Sequence, residues 1–240
     1  MPFLRRKPNC HLKSCKVTPT LSIFLGFMRR FFFTSILLII FFHGNGQDWK
    51  DHYDQAIADY QSQRYPEAML NAEKAFEASK TLDLKNQAFS LQLLTSICLE
   101  AQDYSKGARF SNDEIASFAQ MEGKKSKHYA EALLKRAQMN QGLSNLKEAQ
   151  RDYEEVSSIF SEDPGQTSLT YLKVQSSYGQ VLIDLRDFNR AADVLNIAVA
   201  GLRHFPDEWE EYLFALYYSG YVEIQNKNVT NAEPKLKEFI

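Results

Sequence analysis

The chain has 240 residues, of which 24% are charged and 13% aromatic, and its formal net charge is only -2. This total conceals two oppositely charged parts. Residues 1–46 contain seven Lys or Arg and no acidic residue, whereas the remaining 21 basic and 30 acidic residues give the rest of the chain a net charge of -9. The acidic body argues against nucleic acid as a partner, because phosphates require a surface rich in Lys and Arg. A basic partner would fit the charge better.

The N-terminal part has the pattern of a secretory signal peptide. Arg29 and Arg30 precede twelve residues, 31–42, that are apolar at all but two positions, and a short polar stretch follows. This order is typical of a signal peptide and predicts cleavage between Gly46 and Gln47. A twelve-residue helix reaches only about 18 Å, well short of the ~30 Å hydrocarbon layer. A permanent membrane span is therefore the poorer interpretation, and an uncleaved signal anchor remains the alternative.

Residues 1–46 are expected to include an over-extended N-terminus. A signal peptide normally begins with its charged region, so Met28 is the expected true start. Cys10 and Cys15 fall within the part to be removed, which leaves Cys98 alone and predicts no intramolecular disulfide in the mature chain. The predicted location is exported, either periplasmic or secreted.

The rest of the chain contains a repeated pattern. A bulky residue, two spacers and a small residue occur five times, and the small residues stand 39, 42, 42 and 41 positions apart. A regular period of this length indicates a tandem helical repeat. A second set of small residues lies twelve positions before the first, and we expect both sets to lie where helices cross closely. These predicted structural anchors are Ala56 and Ala68, Thr95 and Gly107, Ala137 and Ala149, Gly179 and Ala191, and Gly220 and Ala232.

The fourth repeat shows the helical periodicity best. Its apolar residues in 174–185 fall on one helical face, Arg186 and Asp187 interrupt the pattern, and residues 188–202 carry a second apolar stripe. This predicts two amphipathic helices joined by a tight turn. Neither helix can bury its apolar face alone, so neighbouring pairs must stack to form the core. Boundaries between repeats are predicted at Asp83, Gly123, 162–166 and 205–207.

The pattern resembles the tetratricopeptide repeat family, in which a further Ala follows the anchor by seven positions, as Ala75 and Ala198 do here. The resemblance implies an all-α, right-handed α-solenoid of about five antiparallel helix pairs over residues 47–240, with the last pair uncapped. The period exceeds the usual 34 by seven or eight residues, which resembles the long-helix type found in kinesin light chains. The second repeat departs from the pattern, because Glu114 stands where a small residue is expected.

The resemblance also implies a concave binding groove lined by the first helix of each pair. The residues fifteen and eleven positions before each anchor would face it, and they are mainly aromatic or uncharged polar. Such a lining favours an extended peptide held by Tyr stacking and Gln amides over a clamp for acidic C-termini, which places Lys and Asn at these sites. The alternative is that the aromatic residues pack against the next repeat. The predicted groove residues are Tyr53, Ile57, Gln92, Ser96, Leu134, Gln138, Ser176, Gln180, Tyr217 and Tyr221.

The sequence contains no common catalytic motif, such as a P-loop, a GxSxG elbow or an HExxH zinc site. After the signal peptide only His52, His128 and His204 remain, and they belong to different repeats, so neither a metal site nor a cofactor is predicted. These features predict a non-catalytic, exported scaffold that binds a protein or peptide partner. The alternative is the sensory or recruiting N-terminal region of a longer signalling protein, with a membrane histidine kinase or a caspase-like protease, truncated at Ile240.

Overall fold

The computed structural model describes residues 46–240, and the predicted signal peptide therefore lies outside the described residues except for Gly46. The described part is entirely helical apart from turns, and none of its helices is long and apolar enough to cross a membrane. Within it α1 covers 46–61 and is followed by α2 (Tyr65–Ser79), α3 (Leu84–Glu100), α4 (Tyr104–Met121), α5 (Lys127–Gly142), α6 (Leu146–Phe160), α7 (Leu169–Asp184), α8 (Phe188–Leu202), α9 (Trp209–Gln225) and α10 (Val229–Phe239).

The helices form five consecutive pairs, which confirms the predicted solenoid of helix pairs. Each helix from α2 to α9 packs against the helix that follows it along the chain. The first pair is held by a small apolar cluster in which Ala56 of α1 meets Ala68 and Ala72 of α2. A larger continuous cluster runs through the later pairs. Stacking of neighbouring pairs therefore produces the core, as expected for amphipathic helices that cannot bury their faces alone.

Capping side chains mark the starts of several first helices. Asp83, Ser126 and Ser168 precede α3, α5 and α7, and each side chain accepts a hydrogen bond from the backbone N–H three residues later. These bonds satisfy N–H groups that have no partner inside the helix. Gly123 lies in the connection between α4 and α5, and its φ of +89° is a conformation that favours glycine. The connections thus coincide with the turn-forming residues that the sequence contains.

The predicted small residues lie at buried helix crossings, and the glycines show why size matters there. A Cβ atom added to Gly179 would lie 2.5 Å from Cγ of Leu195, and one added to Gly220 would lie 2.8 Å from Cδ2 of Leu236. Both distances are shorter than any normal contact, so a larger residue would force the helices apart. All ten predicted anchor residues are buried.

The turns inside each pair share a conformation that the sequence pattern does not indicate. In each turn one residue five positions before the anchor has φ between 56° and 62°, and none of these residues is Gly. Asp103 shows the associated bond: its backbone N–H donates to the Cys98 carbonyl at 2.9 Å, which closes the end of α3. This arrangement is a Schellman-type helix end. The left-handed residues are Gln63, Gln102, Ser144, Arg186 and Lys227.

The first helices form one face of the array, which we call the inner face. Among α2 to α10, α3 packs on α5 and α7 packs on α9, whereas no pair of second helices packs as closely. The exception is α5 and α7, which stand apart. Their pairs are joined by the eight-residue connection 161–168, whereas 80–83, 122–126 and 203–208 join the other described pairs. The longer connection contains Pro164 and a kink at Asp163, whose backbone is extended with φ of -146° and ψ of 117°, and it accompanies the wider spacing.

Candidate partner-binding face

The inner face presents most of the residues that the sequence predicts for a groove. Nine of the ten predicted groove residues keep part of their surface exposed, on α1, α3, α5, α7 and α9. The exception is Ser176 of α7, which is fully buried and whose hydroxyl has no hydrogen-bond partner within residues 46–240. Ser176 therefore cannot contact a partner in this structure. Partner contact by the other nine residues remains a prediction.

The exposed aromatic residues stand at the two ends of this face and are partly engaged in packing. Near the first end Tyr53 stacks on Trp49, with ring centroids 5.0 Å apart, and the Trp49 indole donates to Ser90 Oγ at 2.8 Å. Burial raises the pKa of the Tyr53 hydroxyl. At the other end Tyr217 packs against Phe239 at 5.3 Å but is still 42% exposed. Part of the surface of each aromatic ring therefore packs against its neighbours, and part remains exposed on the inner face.

A cleft of about 280 Å³ opens on the inner face where α5 and α7 stand apart. Leucine and valine side chains form its apolar part, and uncharged polar groups with one lysine form its rim. Two of the predicted groove residues, Leu134 and Gln138, belong to it, whereas its α7 side was not predicted. The residues that line it are Leu134, Gln138, Leu169, Thr170, Lys173, Val174 and Ser177. We refer to this site as the α5–α7 cleft.

Polar contacts determine the electrostatics of the α5–α7 cleft. Lys173 Nζ lies 2.7 Å from Glu208 Oε2, so the charge of this lysine is balanced within the protein. One turn of helix away, Gln141 Nε2 donates to Gln180 Oε1 at 3.2 Å and links α5 to α7. The side-chain amide of Gln138 has no hydrogen-bond partner among the described residues, and the side chain is partly exposed. It is therefore available to a ligand.

A buried ion pair that sequence reasoning missed lies beneath the inner face at the second and third pairs. Lys135 Nζ donates to Glu114 Oε1 at 2.6 Å, to Thr95 Oγ1 at 2.7 Å and to the Gln92 carbonyl at 3.1 Å. Thr95 Oγ1 donates in turn to Glu114 Oε2 at 2.6 Å. Burial lowers the pKa of Lys135, although the neighbouring Glu114 carboxylate acts to raise it. The network explains the irregular second repeat: Glu114 replaces a small residue because the next pair supplies its counter-charge.

A polar depression of about 520 Å³ lies elsewhere, over α4, α5 and α6. Its floor is a paired arginine: Arg136 Nε and Nη2 donate to the two carboxylate oxygens of Asp152 at 2.8 and 2.6 Å. The hydrogen bond with Asp152 raises the pKa of Arg136. Arg136 Nη1 also donates to Asn112 Oδ1 at 2.8 Å. Because these groups satisfy one another, the depression has no strongly uncompensated charge at its floor.

The structure defines the surroundings of two potentially reactive side chains, Cys98 and His128. Cys98 is buried, and burial raises the pKa of its thiol to about 12, so the reactive thiolate is disfavoured. His128 stacks on Phe118 at 5.0 Å and lies 2.8 Å from a carboxylate oxygen of Glu122. Within residues 46–240 no three His, Cys, Asp or Glu side chains are grouped to hold a metal ion.

Comparison with known proteins gives similarity in structure but not in sequence. No protein-family model matches the chain, and no curated protein matches it. The structure of BtubC (BKLC) from P. vanneervenii has a TM-score of 0.69 and 14% identity, over 82% of this chain and 87% of that one. A putative kinesin light chain from Podosopora anserina with nearly identical TPR-like repeats has a TM-score of 0.66 and 15% identity, over 79% of this chain and 92% of that one.

A third similar structure is YrrB, which is described as a TPR protein with an unusual peptide-binding site. Its TM-score is 0.60 and its identity 12%, over 82% of this chain and 88% of that one. Most of each protein is aligned, so the similarity concerns the whole array and not one helix pair. At this level of identity the likeness shows the fold. The chain described here therefore has the fold of the tetratricopeptide-type α-solenoids.

Proposed function

We propose that this protein is a non-catalytic scaffold that binds an extended segment of a partner protein on the face formed by its first helices. The observation that carries the proposal is the row of partly exposed, mainly uncharged residues on the inner side of α1, α3, α5, α7 and α9. A row of this kind offers repeated contacts along an extended chain. The similarity to YrrB, whose description names a peptide-binding site, supports the same class of ligand.

The chemistry of the face fits a polypeptide. Amide side chains such as Gln92 and Gln138 can donate to and accept from the backbone of an extended segment, which has free N–H and C=O groups. Tyr221 and the half-exposed ring of Tyr217 provide flat apolar surface with a polar tip. The net charge of -9 beyond residue 46 would accelerate association with a basic partner.

The proposal includes export. It is supported by the pattern of residues 29–47, which is typical of a cleaved signal peptide. The mature protein would then meet its partner outside the cytoplasmic membrane. Sequencing the N-terminus of the protein secreted by a suitable host tests this step, with Gln47 as the expected first residue. Recovery of the protein with Met1 or Met28 intact would contradict it.

The binding proposal is tested by selecting ligands and then changing the face. Random peptides displayed on phage are selected against the purified protein, and the enriched sequences are synthesised and measured by calorimetry. We expect Gln92→Arg and Tyr221→Ala each to weaken binding about tenfold, equivalent to about 1.4 kcal/mol, because each removes a contact on the inner face.

The matched control is Glu148→Gln on α6, an exposed position away from the inner face, which should leave affinity within about twofold. Circular dichroism verifies that each variant keeps its helical content. If selected peptides bind equally well to both inner-face variants, or if Glu148→Gln weakens binding as much as they do, the inner face is not the binding surface.

A further inference from the structure

The α5–α7 cleft marks one junction as different from its neighbours. At the α3–α5 and α7–α9 junctions the first helices pack directly on each other. At the α5–α7 junction the two helices stand apart, after the longer connection 161–168, and leave a cleft of about 280 Å³. The inner face therefore has a depression at the α5–α7 junction whose lining includes Leu134 and Leu169, whereas a second depression, at the α3–α5 junction, is lined by polar groups such as Glu100 and Gln141.

We infer that the α5–α7 cleft is the anchor site of the binding face and takes one uncharged apolar side chain, such as leucine, from an extended segment. This inference rests on the proposed function and assigns the partner chemistry at one position. Leu134 and Leu169, which are both partly exposed, supply the apolar surface against which such a side chain would pack. Burial of a side chain in a well-fitted pocket near the middle of an interface is typical of the residues that dominate affinity.

The shape of the cleft admits a side chain. The α5–α7 cleft has about 280 Å³ and is open to the inner face, so a side chain can enter it while its backbone stays outside. An extended segment presents side chains to alternate sides, and so can place one of them in the cleft.

The charge of the cleft selects an uncharged occupant. Its only charged lining residue is Lys173, which is balanced by Glu208 at 2.7 Å. A charged side chain entering beside Leu134 and Leu169 would lose its hydration and find no free counter-charge. Leucine loses no such hydration and gains apolar contact. The cleft therefore discriminates against Lys, Arg, Asp and Glu at this position of the partner.

Gln138 provides the contact to the backbone beside the anchor. Its side-chain amide is free of hydrogen bonds to other described residues, is partly exposed and lies on the rim. An amide has one acceptor and two donor hydrogens, which match the C=O and N–H groups of a peptide. The Gln141–Gln180 hydrogen bond, by contrast, is satisfied internally and holds α5 to α7 beyond the rim.

The test uses blocked Gly/Ser peptides that are identical except for a central Leu, Ser or Lys. NMR titration of the full protein follows the methyl signals of Leu134 and Leu169 and the side-chain amide signal of Gln138. The Leu peptide is expected to shift all three groups of signals. The Ser and Lys peptides should bind at least about tenfold more weakly, because they gain little apolar burial.

Thr170→Trp supplies the matched variant, since Thr170 is exposed on the rim and a large ring there would occupy the cleft. It should abolish the response to the Leu peptide, whereas Thr170→Ser should keep it. Circular dichroism checks that both variants remain folded. Equal binding of the Leu and Ser peptides, or cleft signals that stay unchanged with the Leu peptide, would overturn the inference.

The peptides selected by phage display separate this inference from the proposed function. If they shift signals of Gln92 and Tyr221 but leave the cleft signals unchanged, the anchor assignment fails and the proposed function stands. If they bind without affecting any first-helix signal, the proposed function itself fails. If they shift the cleft signals and contain an invariant apolar residue, both are supported.

Discussion

The second and fourth helix pairs fill the same structural position in opposite ways. Seven residues after the anchor, α4 has Glu114 and α8 has Ala198, and both side chains are completely buried. In the fourth pair a small apolar residue lets the next helix pack closely. In the second pair a carboxylate occupies that place and is neutralised by Lys135 of the following pair at 2.6 Å.

The comparison shows that a stacked helical array needs complementarity at each junction more than it needs a constant residue. Ala198 is compatible with many neighbours, because it only requires apolar contact. Glu114 requires a specific counter-charge, which Lys135 supplies. Its carboxylate accepts hydrogen bonds from Lys135 and from Thr95. An ion pair of this kind is costly to bury, and removing one member leaves the other uncompensated. The junction between the second and third pairs therefore depends on a specific match.

The largest expected effect comes from breaking that match. Glu114→Ala copies the residue type of the fourth pair but leaves the Lys135 ammonium in the core without its counter-charge. We expect a loss of about 3–5 kcal/mol in the free energy of unfolding. Urea unfolding followed by circular dichroism measures the loss. An exposed pair provides the control: Glu233→Ala, opposite Lys237 on α10, should cost less than about 1 kcal/mol.

A second substitution should repair the first. In the variant Glu114→Ala/Lys135→Met both buried charges are gone, and the second junction becomes apolar like the fourth. Its stability is expected to lie within about 1 kcal/mol of the wild type, because an apolar pair often replaces a buried ion pair without loss. If the double variant is as unstable as Glu114→Ala, the loss arises from the shape of the site and not from the unpaired charge.

The stability of the fourth pair is expected to depend on side-chain size at Gly179, whereas that of the second pair depends on the charge of Glu114. Gly179→Val would place its Cβ atom 2.5 Å from Cγ of Leu195, so α7 and α8 would have to separate. Overpacking of this kind costs about 1–3 kcal/mol. Thermal or urea unfolding measures it. Combining the change with Leu195→Ala should recover part of the loss through coupling of the two neighbours, and purely additive losses would show that the crossing is not where the strain arises.

How much of this could be predicted from the sequence depends on how local each feature is. The helix pairs and buried crossings follow from spacing along one chain segment, and Gly179 and Ala191 indicate them directly. The ion pair does not, because Lys135 belongs to the next repeat and its proximity to Glu114 is a property of stacking. The left-handed turn residues also escape prediction, since positions such as Gln102 are not glycine.

The binding face was predictable in outline and less so in detail. The repeat assigns the first helices to one side, and nine of the ten groove residues are partly exposed there. Ser176 is buried, unlike the predicted groove residues at the same register in the other first helices. The α5–α7 cleft depends on the separation of two helices after the connection 161–168, and no residue pattern within either helix indicates that separation.

The smallest expected effect concerns a partly exposed network between the third and fourth pairs, the counterpart of the buried one between the second and third. Glu154 accepts hydrogen bonds from Arg190 Nη2 at 2.6 Å and from the Tyr178 hydroxyl at 2.9 Å. Burial raises the pKa of Glu154, but these hydrogen bonds outweigh it and the net pKa is lowered. The network therefore stabilises the fold above the usual Glu pKa of about 4.3, and its contribution is lost as the pH falls through the lower folded value.

Because the two charged groups of this network, Glu154 and Arg190, are nearly half exposed, Glu154→Gln should cost less than about 1 kcal/mol at neutral pH. Urea midpoints of wild type and variant, measured at a series of pH values, should converge as the pH falls through the lowered pKa of Glu154, since the protonated Glu154 then resembles Gln. A difference that persists unchanged into acid would mean that the Glu154 carboxylate contributes through packing and not through its charge.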